Sequence, residues 1–226
     1  MIGERLKKIE QQIEESCRRV GRDPSEVTLI AVSKTKPVSM MTKAYEAGAR
    51  QFGENRVQEL LEKIPQMPDD TMWHLIGHLQ TNKVRQVIGR TRLIHSVDSV
   101  RLAREIEKES AKRGLVTEIL LEVNVAREES KFGFFLEETE EALREISQLK
   151  HVRVCGLMTI APFTADMEEN RPIFRKLNQF FVDMKCKNID NVNMAVLSMG
   201  MTGDFSVAVE EGATMVRIGT GIFSAR

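Results

Sequence analysis

The chain has 226 residues, room for one large domain or two small ones and enough to bury a core without staples. Lys plus Arg and Asp plus Glu each total 33, so the formal charge is zero, which excludes a nucleic-acid binder relying on a broad basic field. Cys17, Cys155 and Cys186 are far apart and form no CxxC, which argues against a disulfide framework or zinc knuckle and for a reducing, cytoplasmic setting. The N-terminal stretch MIGERLKKIEQQIEES has no apolar core of signal-peptide type, and no apolar run approaches the length of a membrane span.

Ile2, Leu6, Ile9, Ile13, Cys17 and Val20 recur at helical spacing and predict an amphipathic helix that Gly21 and Pro24 end. Apolar runs at 27–33, 50–53, 72–77, 93–97, 117–125, 152–158, 192–199 and 215–219 then read as strands. Helical stretches fall between them, near 38–48, 55–64, 80–89, 98–113, 136–149, 167–187 and 204–211, with a short tail helix after 219. Strands alternating with helices imply parallel pairing through right-handed crossovers. Eight such units match a small (β/α)8 barrel preceded by an extra helix, with a doubly wound open sheet as the competing architecture. No Pro/Ser-rich linker interrupts the pattern, so residues 1–226 read as a single domain.

Side-chain alternation adds a clue to what the barrel encloses. In 117–125, Ile119, Leu121, Val123 and Val125 share one face, with Glu118, Leu120, Glu122 and Asn124 opposite; in 215–219, Val216 and Ile218 oppose Met215, Arg217 and Gly219. A polar face turned inward suits a barrel holding a site, and an Arg217–Glu122 ion pair filling the lumen is the structural alternative. Active sites of such barrels lie at the C-terminal ends of the strands. Lys34 ends the first strand, where desolvation would favour the neutral, nucleophilic amine; a solvated lysine is the alternative. The glycine turns LSMGMTGD (197–204) and RIGTG (217–221) follow strands seven and eight, where these barrels bind phosphate. Ser198, Thr202 and Thr220 add hydroxyls. A phosphate cradle opposite a strand-end lysine points to a phosphorylated aldehyde, hence pyridoxal 5′-phosphate (PLP). GxxxxGK[ST] and GxGxxG are both absent, and His74 and His78 lack a third metal ligand nearby.

The segments AVSKTKP (31–37), FGENRVQE (52–59), WHLIGHLQTNK (73–83), ESKFGF (129–134), GLMTI (156–160), LSMGMTGDF (197–205) and VRIGTGIF (216–223) resemble, in order and over 28–226, the YggS/PROSC family of PLP homeostasis proteins. The resemblance implies a single barrel like the N-terminal domain of bacterial alanine racemase, with PLP held as a Schiff base on Lys34. It further implies Asn55 in the pocket wall, Ser198, Gly200 and Thr202 in the first phosphate loop, Gly219 and Thr220 in the second, and Arg217 facing the pyridine nitrogen. An arginine there donates only, leaving PLP a weak electron sink. Arg56 stands where many relatives have an aromatic residue, Thr202 where they have serine, and Ser224 where they have glycine.

Similar racemases add a second base, a tyrosine from another domain; this chain has no residues left for one, and its only tyrosine, Tyr45, lies in the helix after the first strand. The expected function is a non-catalytic PLP carrier, a monomer or weak dimer with apo PLP-dependent enzymes as recipients. A weak PLP-dependent racemase and a scaffold that has lost PLP are the alternatives.

Overall fold

The computed structural model describes residues 1–224. Eight strands form one closed, all-parallel barrel in sequence order: β1 (Thr28–Val32), β2 (Gln51–Glu54), β3 (Met72–Leu75), β4 (Leu93–Val97), β5 (Thr117–Glu122), β6 (Val152–Met158), β7 (Val192–Met201) and β8 (Met215–Ile218). Closure pairs β1 with β8, Leu29 opposite Val216 and Ile30 opposite Arg217. The competing open sheet is thereby excluded.

Helix α1 (Ile2–Arg19) precedes the barrel. The outer ring is α2 (Val38–Glu46), α3 (Val57–Lys63), α4 (Val84–Val87), α5 (Val100–Ala111), α6 (Leu136–Ile146), α7 (Arg171–Cys186), α8 (Phe205–Glu210) and α9 (Thr220–Phe223). The apolar stripe of α1 is buried from Ile2 to Cys17 and packs on α8, α9 and α2. The helix stops one residue short of Val20, which is exposed, because Gly21 adopts φ +69 and turns the chain back. Arg22 then ties this corner to the barrel through the carbonyls of Val209 at 2.6 Å and Ala213 at 3.0 Å. In α5, Leu102, Ala103 and Ile106 face the sheet, and the Ser99 side chain caps the Leu102 N–H.

Three elements differ from expectation. The helix expected over 80–89 shrinks to a 3-10 turn and the single turn of α4; its β-branched Val84, Val87 and Ile88 are weak helix formers, and Gly89 at φ +74 ends the run. Strand β5 ends at Glu122 because the Asn124 amide turns to the following loop, donating to Glu128 O at 2.9 Å and accepting from Glu128 N at 3.1 Å. Strand β7 runs on through Gly200 to Met201, so this glycine belongs to the strand rather than to the turn after it.

The alternation expected for β5 and β8 is present. Ile119, Leu121, Val123, Val216 and Ile218 join the large core between sheet and helices. Leu120 joins Leu93, Cys155 and Met158 in a small apolar layer inside the barrel. Glu122 and Arg217 are buried on the inner face. Gly156 lets β6 and β7 meet: a Cβ there would lie 1.8 Å from the Val196 carbonyl oxygen, so no other residue fits without moving a strand. Gly156→Ala is expected to cost about 3 kcal/mol or more in urea unfolding, whereas Gly203→Ala, with open space around its Cβ position, leaves stability near wild type.

Candidate functional site

A cavity of about 380 Å3 opens at the C-terminal mouth of the barrel, lined by Lys34, Asn55, Thr202, Arg217, Gly219 and Thr220. Most of the residues singled out from sequence therefore meet in one place, although they come from four strand ends. Val32, Ile76, Ile160 and Pro162 supply the apolar part of the wall, and Phe163 stands wholly exposed at the rim. The size suits a small molecule.

Lys34 sits just past β1, in a tight turn closed by the Lys36 N–H donating to Ser33 O at 3.0 Å. Thr35, at φ +61, makes the turn possible. The turn lifts Lys34 clear of the sheet, so its side chain is exposed and the burial expected from its strand-end position does not occur. Lys36 is half-buried and lies off the cavity wall.

The two glycine turns touch each other: the Gly221 N–H donates to Thr202 Oγ1 at 3.2 Å. Asp204 braces the first turn, accepting from the Met201 N–H at 2.7 Å and from Asn170 Nδ2 at 2.8 Å. The N–H groups of Thr202 and Gly203 have no protein acceptor among the described residues, which leaves them free for an anion. The brace of Asp204 and Asn170, and the wall from Ile160 to Thr164, escaped the sequence reading. Asp204, inside LSMGMTGDF, was within sight of it; Asn170 reaches the site only through tertiary packing and carries no local signal.

Ser198 and Gly200 do not line the cavity. Ser198 is fully buried within β7, facing the lumen. Its Oγ accepts from Arg217 Nη1 at 2.6 Å and lies 3.0 Å from His95 Nδ1. Gly200 has φ +93, and a Cβ there would lie 2.6 Å from the Ala208 Cβ, so it serves the approach of α8 to β7. Both lie within β7, beneath the first glycine turn, because the strand runs two residues past the expected 199 to Met201.

Arg217 makes no ion pair with Glu122 among the described residues; Thr159 O takes its Nη2 donor at 2.8 Å. The lumen is bridged instead by a row that runs from the charged Arg217 through neutral groups, Ser198, His95, His74 and Gln51. His74 Nδ1 lies 3.0 Å from His95 Nε2, and His74 Nε2 lies 2.7 Å from Gln51 Oε1. Gln51 Oε1 can only accept and burial keeps both histidines neutral, so the donors follow in order from that end. His74 donates from Nε2 to Gln51, His95 donates from Nε2 to His74 Nδ1, and the Ser198 hydroxyl donates to His95 Nδ1. The row ends on Arg217 Nη1 and helps to orient the guanidinium. Burial lowers the Arg217 pKa to about 10, which leaves it protonated near neutrality.

At the rim, His78 Nδ1 meets Asp98 Oδ2 at 2.9 Å and the ring stacks on Phe132 with centroids 3.8 Å apart. His74 and His78 therefore face different places and share no ligand. Lys131 pairs with Glu128 and reaches toward Ala161 O at 3.3 Å. Tyr45 lies away from the cavity, donating to Asp70 at 2.6 Å beneath the Arg50 guanidinium.

Two buried groups pull stability in opposite directions with pH. Burial lowers the His74 pKa from 6.5 to about 4, so the unfolded chain takes up a proton that the folded chain refuses, and stability falls by about 3 kcal/mol as pH drops through that window. His95 shifts the same way. Burial raises the Glu122 pKa from 4.5 to about 7, so the folded chain holds a proton that the unfolded chain releases, and stability rises as pH drops from about 7 to 4.5. Glu122→Gln removes the compensating group. Urea unfolding at pH 7 and 4.5 is expected to show this variant losing roughly 2–3 kcal/mol more than the wild type at the lower pH.

Residues 5–226 match the family described as alanine racemase, N-terminal domain. The chain is 44% identical over 224 residues to a protein of Aquifex aeolicus named pyridoxal phosphate homeostasis protein, covering 99% of this chain and 97% of that one. A protein of the same name from Pseudomonas aeruginosa is 38% identical, covering 100% of this chain and 96% of its own. The structure of PipY of Synechococcus elongatus with PLP bound is 36% identical and superposes with a TM-score of 0.84, over 99% of this chain and 100% of PipY. Alanine racemase of Clostridium difficile, at 13% identity and a TM-score of 0.73, shares the fold over 96% of this chain and 56% of its own length. The chain belongs to the family of pyridoxal phosphate homeostasis proteins, whose barrel is that of the alanine racemase N-terminal domain.

Proposed function

We propose that this protein binds PLP at the barrel mouth, holds it as a Schiff base on Lys34, and buffers or delivers it to apo PLP-dependent enzymes in vitamin B6 homeostasis. The observation that carries the reading is the shared cavity: one wall presents an amine, one a guanidinium, and one two hydroxyl-bearing glycine turns. These are the groups that an aldehyde, a pyridine nitrogen and a phosphate call for. Asn55 Oδ1 supports the fit further, since it is buried without a protein partner on the same wall. When bound, PLP supplies an aldehyde able to condense with a lysine amine.

In this reading Thr202, Gly203, Gly219 and Thr220 bind the phosphate, and Asp204 and Asn170 hold the first of these turns in shape. Ser198 and the two histidines orient Arg217 toward the pyridine nitrogen. Arg217 keeps its proton and stays a donor, so the nitrogen remains an acceptor. That choice favours holding the cofactor over drawing electrons into it.

A non-catalytic role draws support from the acid–base groups present. Lys34, Asp204 and Arg217 are the titratable residues of the cavity wall. Asp204 is spent on the turn and Arg217 only donates, which leaves one base where racemisation needs two. The relatives' shared name, pyridoxal phosphate homeostasis protein, points the same way.

The purified protein mixed with PLP is expected to turn yellow, to lose its visible band on borohydride reduction, and to carry the reduced label on the Lys34 peptide. Lys34→Ala stays colourless. An unlabelled Lys34 peptide in the wild type would overturn the assignment.

A further inference from the structure

We infer that Lys63, with Glu59 and Glu54, is a positioning device for Lys34 that grips the backbone on both sides of it. The inference rests on Lys34 being the residue that bears PLP. Lys63 is the last residue of α3, and its side chain is only 7% exposed. Its ammonium donates three times: to Ser33 O at 2.8 Å, to Glu54 Oε1 at 2.7 Å and to Glu59 Oε1 at 2.8 Å. Every proton it carries is thereby used.

The same two carboxylate oxygens hold the turn. Glu59 Oε1 accepts the Thr35 N–H at 2.5 Å, and Glu54 Oε1 accepts the Ser33 hydroxyl at 2.6 Å. Ser33 O belongs to the peptide before Lys34, and the Thr35 N–H to the peptide after it. Both peptide planes that flank the Lys34 Cα are thus tied to one buried ammonium. The Lys34 side chain itself has no hydrogen bond among the described residues and is free to reach the cavity.

Stability alone does not account for the cluster. Buried ion pairs repay their desolvation poorly, and apolar residues of similar volume often serve as well. Glu54 Oε2 is buried with no partner, which costs stability. Thr35 is β-branched and sits at φ +61, a conformation such residues avoid. An arrangement that tolerates both costs is spent on geometry. Fixing the Lys34 backbone removes freedom that would otherwise be lost when its Nζ bonds to the aldehyde carbon of PLP, a step in which C=N forms and the carbonyl oxygen leaves as water with both amine hydrogens.

Glu59 is partly exposed, so Glu59→Ala releases the Thr35 N–H without leaving a cavity. With PLP as the probe and at a temperature where the variant is fully folded, the visible band is expected to grow about tenfold more slowly or worse. Glu59→Gln keeps an acceptor for Thr35 and is expected to stay close to the wild-type rate. Lys63→Met with Glu54→Gln leaves no buried charge unpaired; this double variant is expected to fold yet remain about tenfold slow. Wild-type rates in Glu59→Ala, or rates restored together with stability in the double variant, would overturn the positioning role alone. A wild-type protein that carries no borohydride-fixed label on Lys34 would overturn the PLP assignment, and this role with it.

Discussion

Arg217 is a guanidinium that keeps its proton yet lies inside a barrel with almost no access to water, and much of the lumen answers to that constraint. Two of its donors are met by the Thr159 carbonyl, just past β6, and the Ser198 hydroxyl of β7. Ser198 also meets His95, and the contacts continue to His74 and Gln51. The two histidines have to be neutral for this row to close, and burial holds them so. The Gln51 carbonyl and the neutrality of both histidines set the polarity of a row that crosses the barrel and ends on Arg217. The ring of strands brings those groups together, since none of them is a neighbour of the next in sequence.

Above the lumen the construction changes. Lys34 is exposed at an open mouth, while the backbone around it is locked from below by a buried ammonium. The turns after β7 and β8 are likewise fixed by their own contacts and leave N–H groups to spare. A site with rigid anchors and an open entrance suits a ligand that must be held and also let go. Phe163 and Met201 stand exposed beside that opening.

Much of this was legible in the sequence because local patterns carry it. The eight apolar runs mark the strands, since strands covered on both faces are predominantly apolar. Alternation in 117–125 and 215–219 placed Glu122 and Arg217 on the inner face, because the pleat leaves no other choice. Lys34 and the turns at 202–203 and 219–220 stood out as polar punctuation at strand ends. What stayed hidden depends on closure or on exact strand length. Ser198 falls both in the apolar run 192–199 and in the glycine turn 197–204, and its inward direction and its place below the cavity emerge only from the closed barrel. Alternation makes an Arg217–Glu122 pair the structural alternative, whereas the neutral acceptors that Arg217 meets, Thr159 O and Ser198 Oγ, lie far from it in the chain. Lys63 and Glu59 sit one helical turn apart in an ordinary amphipathic helix, a spacing that reads as a surface pair. Only the packing of α3 under the β1 turn shows that the pair is turned inward.

The central claim is that this barrel passes PLP on to other proteins rather than using it in catalysis. The direct measurement is transfer from the PLP-loaded protein to an apo PLP-dependent enzyme while a trap removes free PLP. The account predicts that enzyme activity appears despite the trap and rises with the concentration of loaded protein. Activation that the trap abolishes, at every concentration of loaded protein, would contradict it.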